Sequence, residues 1–374
     1  MFMDKIPEFK PDDKIFFIRS AFLGDWLATL PFVEYLIYRY KLNPTQIYFL
    51  IFNNKKLNPA ELILGKENIF AKNTIVVNSN ASQIVSSILE ARALVNQVYS
   101  VDHVLLLPFT RDLYYSVIKK WVICKFIFGV NPFFSGFNLH FDTKIFSTSQ
   151  YLSIFEKYGI QTLDVGNQRT FLFAKNRSQA IDISGKKRVA LYVHSKLSMK
   201  IWPKHKYVEL ILNIHKDVNC DFFLIGASED HDYNLELLEL VSRQNAGVNI
   251  ENLAGKMSIP ETLHFFLNIN ILIGNEGAPM HIASLVNLPT VAIFTYKEPI
   301  GTWDPPKTDD FVSIRSDVSC KNCFKEFCHN PVCIYDVKVE TVLMYSKLII
   351  ENKLNGIHSV VELNRVPRSC YSLG

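Results

Sequence analysis

The groups in this chain best suited to chemistry fall in three places. Asp25 follows a short apolar run, Lys14–Arg19, and a turn that ends at Gly24. A single carboxylate there suits a general base that takes a proton from a hydroxyl. It equally suits the N-cap of a following helix. Lys200 comes after another apolar run, Lys187–Val193, with His194 and Ser195 directly behind that run. A compact ammonium in such a loop can neutralise phosphate charge. The plainer reading is a solvated lysine beside Lys196, Lys204 and Lys206. The third place is Asn275–His281, NEGAPMH, between the apolar runs Ile271–Ile273 and Leu288–Phe294. Gly274, Gly277 and Ala278 keep the backbone uncrowded, and Pro279 fits a first helical turn, where its missing N–H costs nothing. Backbone N–H groups of Gly277, Ala278, Met280 and His281, with the helix dipole behind them, then form a cradle for phosphate. Without a ligand the same pattern is an ordinary strand–turn–helix connection.

Two further clusters invite a metal reading. Asp230-His231-Asp232 spells a carboxylate pair that holds a metal–nucleotide complex in some proteins. Here it opens a surface helix and is read as charge favourable to a helix N-terminus. Cys320, Cys323, Cys328 and Cys333 are spaced so that four thiolates could hold a structural zinc, and plain reduced thiols fit as well.

The elements that must position these groups alternate. In the first half, strands are expected at Lys14–Arg19, Gln46–Phe52 and Val101–Leu107, and helices at Asp25–Tyr40 and Ala81–Val98. Arg111–Gly129 reads as one more helix, apolar almost all round with Lys119, Lys120 and Lys125 interspersed. It suits a core helix with snorkelling lysines, or a surface that meets a membrane. Polar residues collect around Gln161–Asp182, which reads as a linker. The second series has strands at Lys187–Val193, Cys220–Ile225, Ile271–Ile273 and Leu288–Phe294. Its helices are Lys204–Lys216, Asp230–Arg243, Ile259–Leu267, Pro279–Val286 and Val339–Glu351. Ser359–Gly374 shows no clear structure. Strand–helix alternation of this kind is the mark of doubly wound α/β domains.

Composition narrows the class. A chain of 374 residues favours two domains. The net charge of +4 is too small to imply nucleic-acid binding. No apolar run is long enough for a membrane span, and the N-terminus lacks the apolar core of a signal peptide. Seven cysteines without an export signal point to a reducing, cytoplasmic setting rather than a disulfide framework.

Three motifs stand in order: Leu23-Gly24-Asp25 with Ala28-Thr29-Leu30-Pro31, Lys200-Ile201-Trp202-Pro203, and Asn252–Lys256 with Asn275–His281. Together they resemble the bacterial ADP-heptose:lipopolysaccharide heptosyltransferase family, glycosyltransferase family nine, from Lys14 to about Leu348. The resemblance implies a GT-B fold of two Rossmann-like domains facing a central cleft. An acceptor domain would span 1–170, a nucleotide-sugar domain 171–355 and a tail 356–374. It implies inverting transfer from a nucleotide-diphosphate sugar to a glycan or glycolipid acceptor, with no cofactor needed for catalysis. It further implies a cytoplasmic enzyme in peripheral contact with the inner membrane. Carried over by motif, Asp25 is the general base. Lys200, Ser195, Gly277, Ala278, Met280 and His281 hold the diphosphate, and Glu276 meets the sugar or ribose. Relatives usually read Asn-Asp-Thr-Gly-Pro or Asn-Asp-Ser-Gly-Pro at 275–279. This chain keeps the acid as Glu276 and loses the hydroxyl at Gly277, which puts the usual donor sugar in doubt. That loss also motivates a rival reading: a catalytically weak relative that binds nucleotide or glycan as a regulator.

Overall fold

The structure is a computed structural model. It describes residues 9–20, 23–53, 57–78, 101–106, 124–129, 137–138, 185–298, 300, 303–304, 311–325, 327–351 and 359–363. The chain divides into two compact units, Met1–Gln168 and Arg169–Gly374. Each is built on one parallel sheet.

In the first unit β1 (Ile15–Ser20), β2 (Ile47–Asn53), β3 (Thr74–Asn78), β4 (Val101–Leu106), β5 (Cys124–Gly129) and the short β6 (Phe137–Asn138) lie in the order β3-β2-β1-β4-β5-β6. Every pairing is parallel, with Ile15 opposite Ile47 and His103. Ile15–Ile18 are fully buried, as an all-apolar strand covered on both faces requires. The strand order reverses between β1 and β4. The helix Leu23–Tyr40 follows β1 directly, so Asp25 is its third residue and not its N-cap. The side chain of Asp25 lies outside the described residues. Pro31 is the ninth residue of this helix.

The second unit has β7 (Lys187–Tyr192), β8 (Cys220–Leu224), β9 (Ile250–Asn252), β10 (Ile271–Asn275), β11 (Thr290–Ile293), β12 (Phe311–Ser316) and β13 (Ser359–Leu363). Their order is β13-β12-β11-β10-β7-β8-β9, again all parallel. The order reverses between β7 and β10. All five residues of β10 are buried. Helices Lys204–Asp217 and Val339–Ile350 pack together and give Leu210, Ile211, Val342 and Ile349 to a core shared with the sheet.

Two expectations fail. Arg111–Gly129 is not one helix, because Cys124–Gly129 forms β5 beside β4. The aromatic and β-branched run Phe126–Phe128 suits a pleated strand, and the apolar character it shares with the residues before it conceals the change of period. Residues 107–123 lie outside the described residues, as do Ala81–Val98 and Gln161–Asp182. The C-terminal segment is not structureless, since Ser359–Leu363 adds the edge strand β13 to β12. Glu251 lies within a strand, β9, too short to show a periodicity. Among the described residues no helix is long and apolar enough to cross a membrane.

Candidate functional site at the strand-order reversal of the second unit

In a doubly wound sheet, the crevice for a ligand opens at the carboxyl ends of the two strands where the order reverses. In the second unit these are β7 and β10. Gly274 fixes how closely they approach. Its φ is +158°, and a Cβ there would sit 2.1 Å from the Tyr192 carbonyl oxygen. Only glycine fits.

Asn275, fully buried, ends β10 and joins the surrounding loops. Its Oδ1 accepts the Trp202 backbone N–H at 3.1 Å and the Tyr207 hydroxyl at 2.9 Å. Its Nδ2 donates to the His194 carbonyl at 3.5 Å. Trp202 is buried against Tyr207, and its indole N–H donates to the Val337 carbonyl at 3.0 Å. One amide thus ties the end of β10 to the segment after β7, the Lys200–Trp202 loop and the helix Lys204–Asp217. Asn275 belongs to a quoted motif, but the sequence offered no sign of this role.

Lys200 closes a 3-10 turn, Ser198–Lys200, and is largely buried. It is not a solvated surface lysine. Its ammonium pairs with Glu276 and lies 3.9 Å from Glu298. Glu276 is buried and also accepts the Thr295 hydroxyl at 3.1 Å, while Glu298 pairs with Lys297 at 3.0 Å. Burial alone would lower the Lys200 pKa. The Glu276 and Glu298 carboxylates outweigh it, and the net shift is upward. Lys200 is therefore charged at neutral pH and engaged by protein carboxylates.

The helix Ala278–Leu285 starts as expected, with Pro279 in its first turn. One donor of the expected cradle is already used, because the Met280 N–H bonds back to the Gly277 carbonyl at 3.1 Å. Met280 and His281 are buried within the helix. Gly277 is extended, at φ 170°, so its backbone would suit any residue; space is what restricts it. A Cβ there would meet Tyr192 Cε1 at 2.7 Å, with the Tyr192 hydroxyl oxygen at 3.3 Å. The Tyr192 ring occupies the room that a serine or threonine at this position would need.

Ser195 is buried behind β7. His194 Nδ1 lies 2.6 Å from Asp230 Oδ1, and its ring lies against Tyr233 at 4.8 Å between centroids. Asp230 is buried, and its Oδ2 accepts the Ala227 N–H at 2.8 Å. The reading of Asp230 as surface helix charge is thus corrected. Both its oxygens are committed within the protein, whereas Asp232 is exposed beside His231. The two carboxylates do not act as a pair. Asn252–Lys256 buttresses the Asp230 turn: Gly255, at φ +75°, donates its N–H to the Gly226 carbonyl at 3.0 Å, and a Cβ there would meet Ser228 Cα at 2.8 Å.

The cysteine segment does not form the closed four-thiolate site that a structural zinc needs. Cys320 is disulfide-bonded, while Cys323, Cys328 and Cys333 are free thiols. Among the described residues no three His, Cys, Asp or Glu side chains gather as a metal-holding group. Burial pushes the Cys333 thiol up to about 11. The segment instead braces the loop after β11. Asn322 and Phe324 donate backbone N–H groups to the Tyr296 and Lys297 carbonyls at 2.7 and 3.0 Å.

Residues 149–333 match glycosyltransferase family 9 (heptosyltransferase). A lipooligosaccharide heptosyltransferase 2 from Campylobacter jejuni is 25% identical over 157 residues, which cover 41% of this chain and 48% of that protein. The match therefore spans about half the length of that curated relative. Among solved structures, a glycosyl transferase family 9 protein from Veillonella parvula superposes with a TM-score of 0.67 at 16% identity, covering 92% of this chain and 99% of that one. An E. coli heptosyltransferase solved with ADP superposes with a TM-score of 0.63 at 12% identity, covering 90% of this chain and 99% of that one. At such identities the structural likeness concerns the fold, which is GT-B, with two Rossmann-like units.

Proposed function

We propose that this chain is an inverting heptosyltransferase that moves heptose from ADP-heptose to a hydroxyl of a lipopolysaccharide-type core glycan. The observation that carries the reading is the meeting of Lys200, Glu276 and the helix start at Gly277 where the strand order reverses, inside the family-matched region. An acceptor oxygen attacks the anomeric carbon as the bond from that carbon to the donor's phosphate oxygen breaks, so the centre inverts and ADP leaves. Asp25 takes the hydroxyl proton; its place in the first turn of the helix after β1 motivates this role. The Lys200 ammonium and the N–H groups of Gly277 and Ala278 stabilise the leaving diphosphate. This is work that a divalent cation performs in other transferases. Glu276 positions Lys200, so contact with the sugar or ribose becomes its second role. Ser195 lines the phosphate side. Met280 and His281 support the helix start from within. The first unit takes the acceptor and the second the donor. The enzyme works peripherally at the cytoplasmic face of the inner membrane, where a glycolipid acceptor is presented.

A thermal-shift series with ADP, GDP, UDP and CMP, followed by transfer from ADP-heptose to a heptose-deficient core glycolipid, tests this reading. ADP should raise the melting temperature most. Binding without transfer would favour the regulatory reading. No stabilisation by any nucleotide would remove both.

A further inference from the structure

The charges gathered at this site do not add up to a positive one. Lys200 and Lys297 are balanced by Glu276 and Glu298 in one chain of contacts. A nucleoside diphosphate would add further negative charge, and the Lys200 ammonium that meets it is shared with two carboxylates, so a further donor would help to offset it. The His194 backbone joins this group through Asn275, and the His194–Asp230 pair stands outside its charge balance. A carboxylate only accepts hydrogen bonds, so His194 Nδ1 carries the hydrogen of the 2.6 Å contact. Asp230 is held from its other side by Ala227, and Tyr233 packs on the imidazole. The orientation of the ring is fixed by both. Its other nitrogen, Nε2, makes no hydrogen bond among the described residues, and the side chain keeps 25% of its surface exposed. The His194 carbonyl is bonded to Asn275, which directly precedes Glu276 and Gly277.

We propose that His194, oriented by Asp230, takes up a proton from solvent when the nucleoside diphosphate binds, and donates from Nε2 to a phosphate oxygen. This rests on the donor assignment made above. With Nδ1 protonated, neutral His194 presents a lone pair at Nε2, which repels a phosphate oxygen. The protonated ring presents an N–H instead. The incoming anion and Asp230 both favour the second form. The surrounding charges are mixed. Glu229, beside Asp230, favours the cation but lies 3.8 Å from Lys196. Lys204 opposes it from the Tyr233 ring, 3.9 Å from the centroid, and is itself paired with Glu236. The phenol of Tyr192, on β7, is pushed up by burial and by the Asp230 and Glu229 charges, so it stays neutral and takes no part in the exchange.

The test is calorimetric titration of the full chain with ADP in two buffers of different ionisation enthalpy, with adenosine as the control lacking phosphate. Wild-type protein should take up protons with ADP in excess of His194→Gln, and neither protein should do so with adenosine. His194→Gln should bind ADP about ten-fold more weakly, with adenosine unchanged. A side chain that merely supported the fold would weaken both ligands. Equal proton uptake or equal ADP affinity in the two proteins overturns the proposal and leaves the donor assignment standing. Failure of wild-type protein to bind ADP overturns both. If His194→Gln does not fold, nitrogen NMR of the wild-type imidazoles decides. Nε2 of His194 must gain a proton on addition of ADP, and an unchanged ring overturns the proposal.

Discussion

Lys200 shows how much a single charged residue depends on its partners. Its ammonium is held by Glu276 and Glu298, and Glu276 is buried. Lys200→Ala should weaken ADP by about 1.5–3 kcal/mol, the worth of a charged hydrogen bond. It should also lower the melting temperature, because Glu276 is left buried and unpaired. Adding Glu276→Gln to Lys200→Ala should recover much of the stability and none of the affinity. If both recover together, Lys200 supports the fold and does not touch the ligand. The sign of the pH effect follows from the raised Lys200 pKa. Its stabilising contribution is present at neutral pH and is lost only as pH rises past the ordinary lysine range and through the raised value. Asp25→Asn keeps shape and polarity but cannot take a proton. Transfer should fall by roughly 10²–10⁴-fold with ADP affinity unchanged. Near wild-type transfer in that variant would remove Asp25 from the mechanism.

At the scale of elements, the approach of β7 to β10 decides what the turn after β10 can carry. Tyr192 fills the space beside Gly277, so restoring a hydroxyl by Gly277→Ser should destabilise by about 1–3 kcal/mol through overpacking. Combining it with Tyr192→Ala should cost less than the sum of the two, as expected of residues in contact. Additive melting shifts would contradict the packing described. The cysteine segment offers a separate check. Cys323 and Cys328 are partly exposed thiols. Cys333 and Cys220 are buried and pushed up to about 11 and about 12. Alkylation at mildly alkaline pH, read by peptide mass, should modify Cys323 and Cys328 well before Cys333 and Cys220. Equal rates in folded protein would show that the segment does not pack as described.

For the whole molecule, the proposed chemistry is carried by side chains and backbone groups. Initial transfer rate should therefore survive brief chelation with EDTA while the protein stays folded. A prompt loss restored by Mg²⁺ or Mn²⁺ would contradict the cation-free mechanism.

The α/β class and most of the elements that frame the site could be read from local sequence patterns alone. Most apolar strands and amphipathic helices of the second unit show their own period, so β7, β8, β10 and the helices between them were legible within a residue or two. The turn at Asn275–His281 was legible for a similar reason, since glycine and proline act on the backbone locally. What short windows did not show were the change of period at β5, the strands β3 and β12, and the brief or terminal strands β9 and β13. Which side chains meet depends on how the whole unit packs. His194 and Asp230 follow different strands, as do Lys200 and Glu276. They come together because the sheet order sets β7 between β10 and β8. Local sequence fixes a residue's backbone and exposure only within its own element, and the order of strands is settled by how all the helices and strands bury their apolar faces together. The same packing turned Lys200 from a surface lysine into a buried cation, and Asp230 from helix charge into the partner of a histidine.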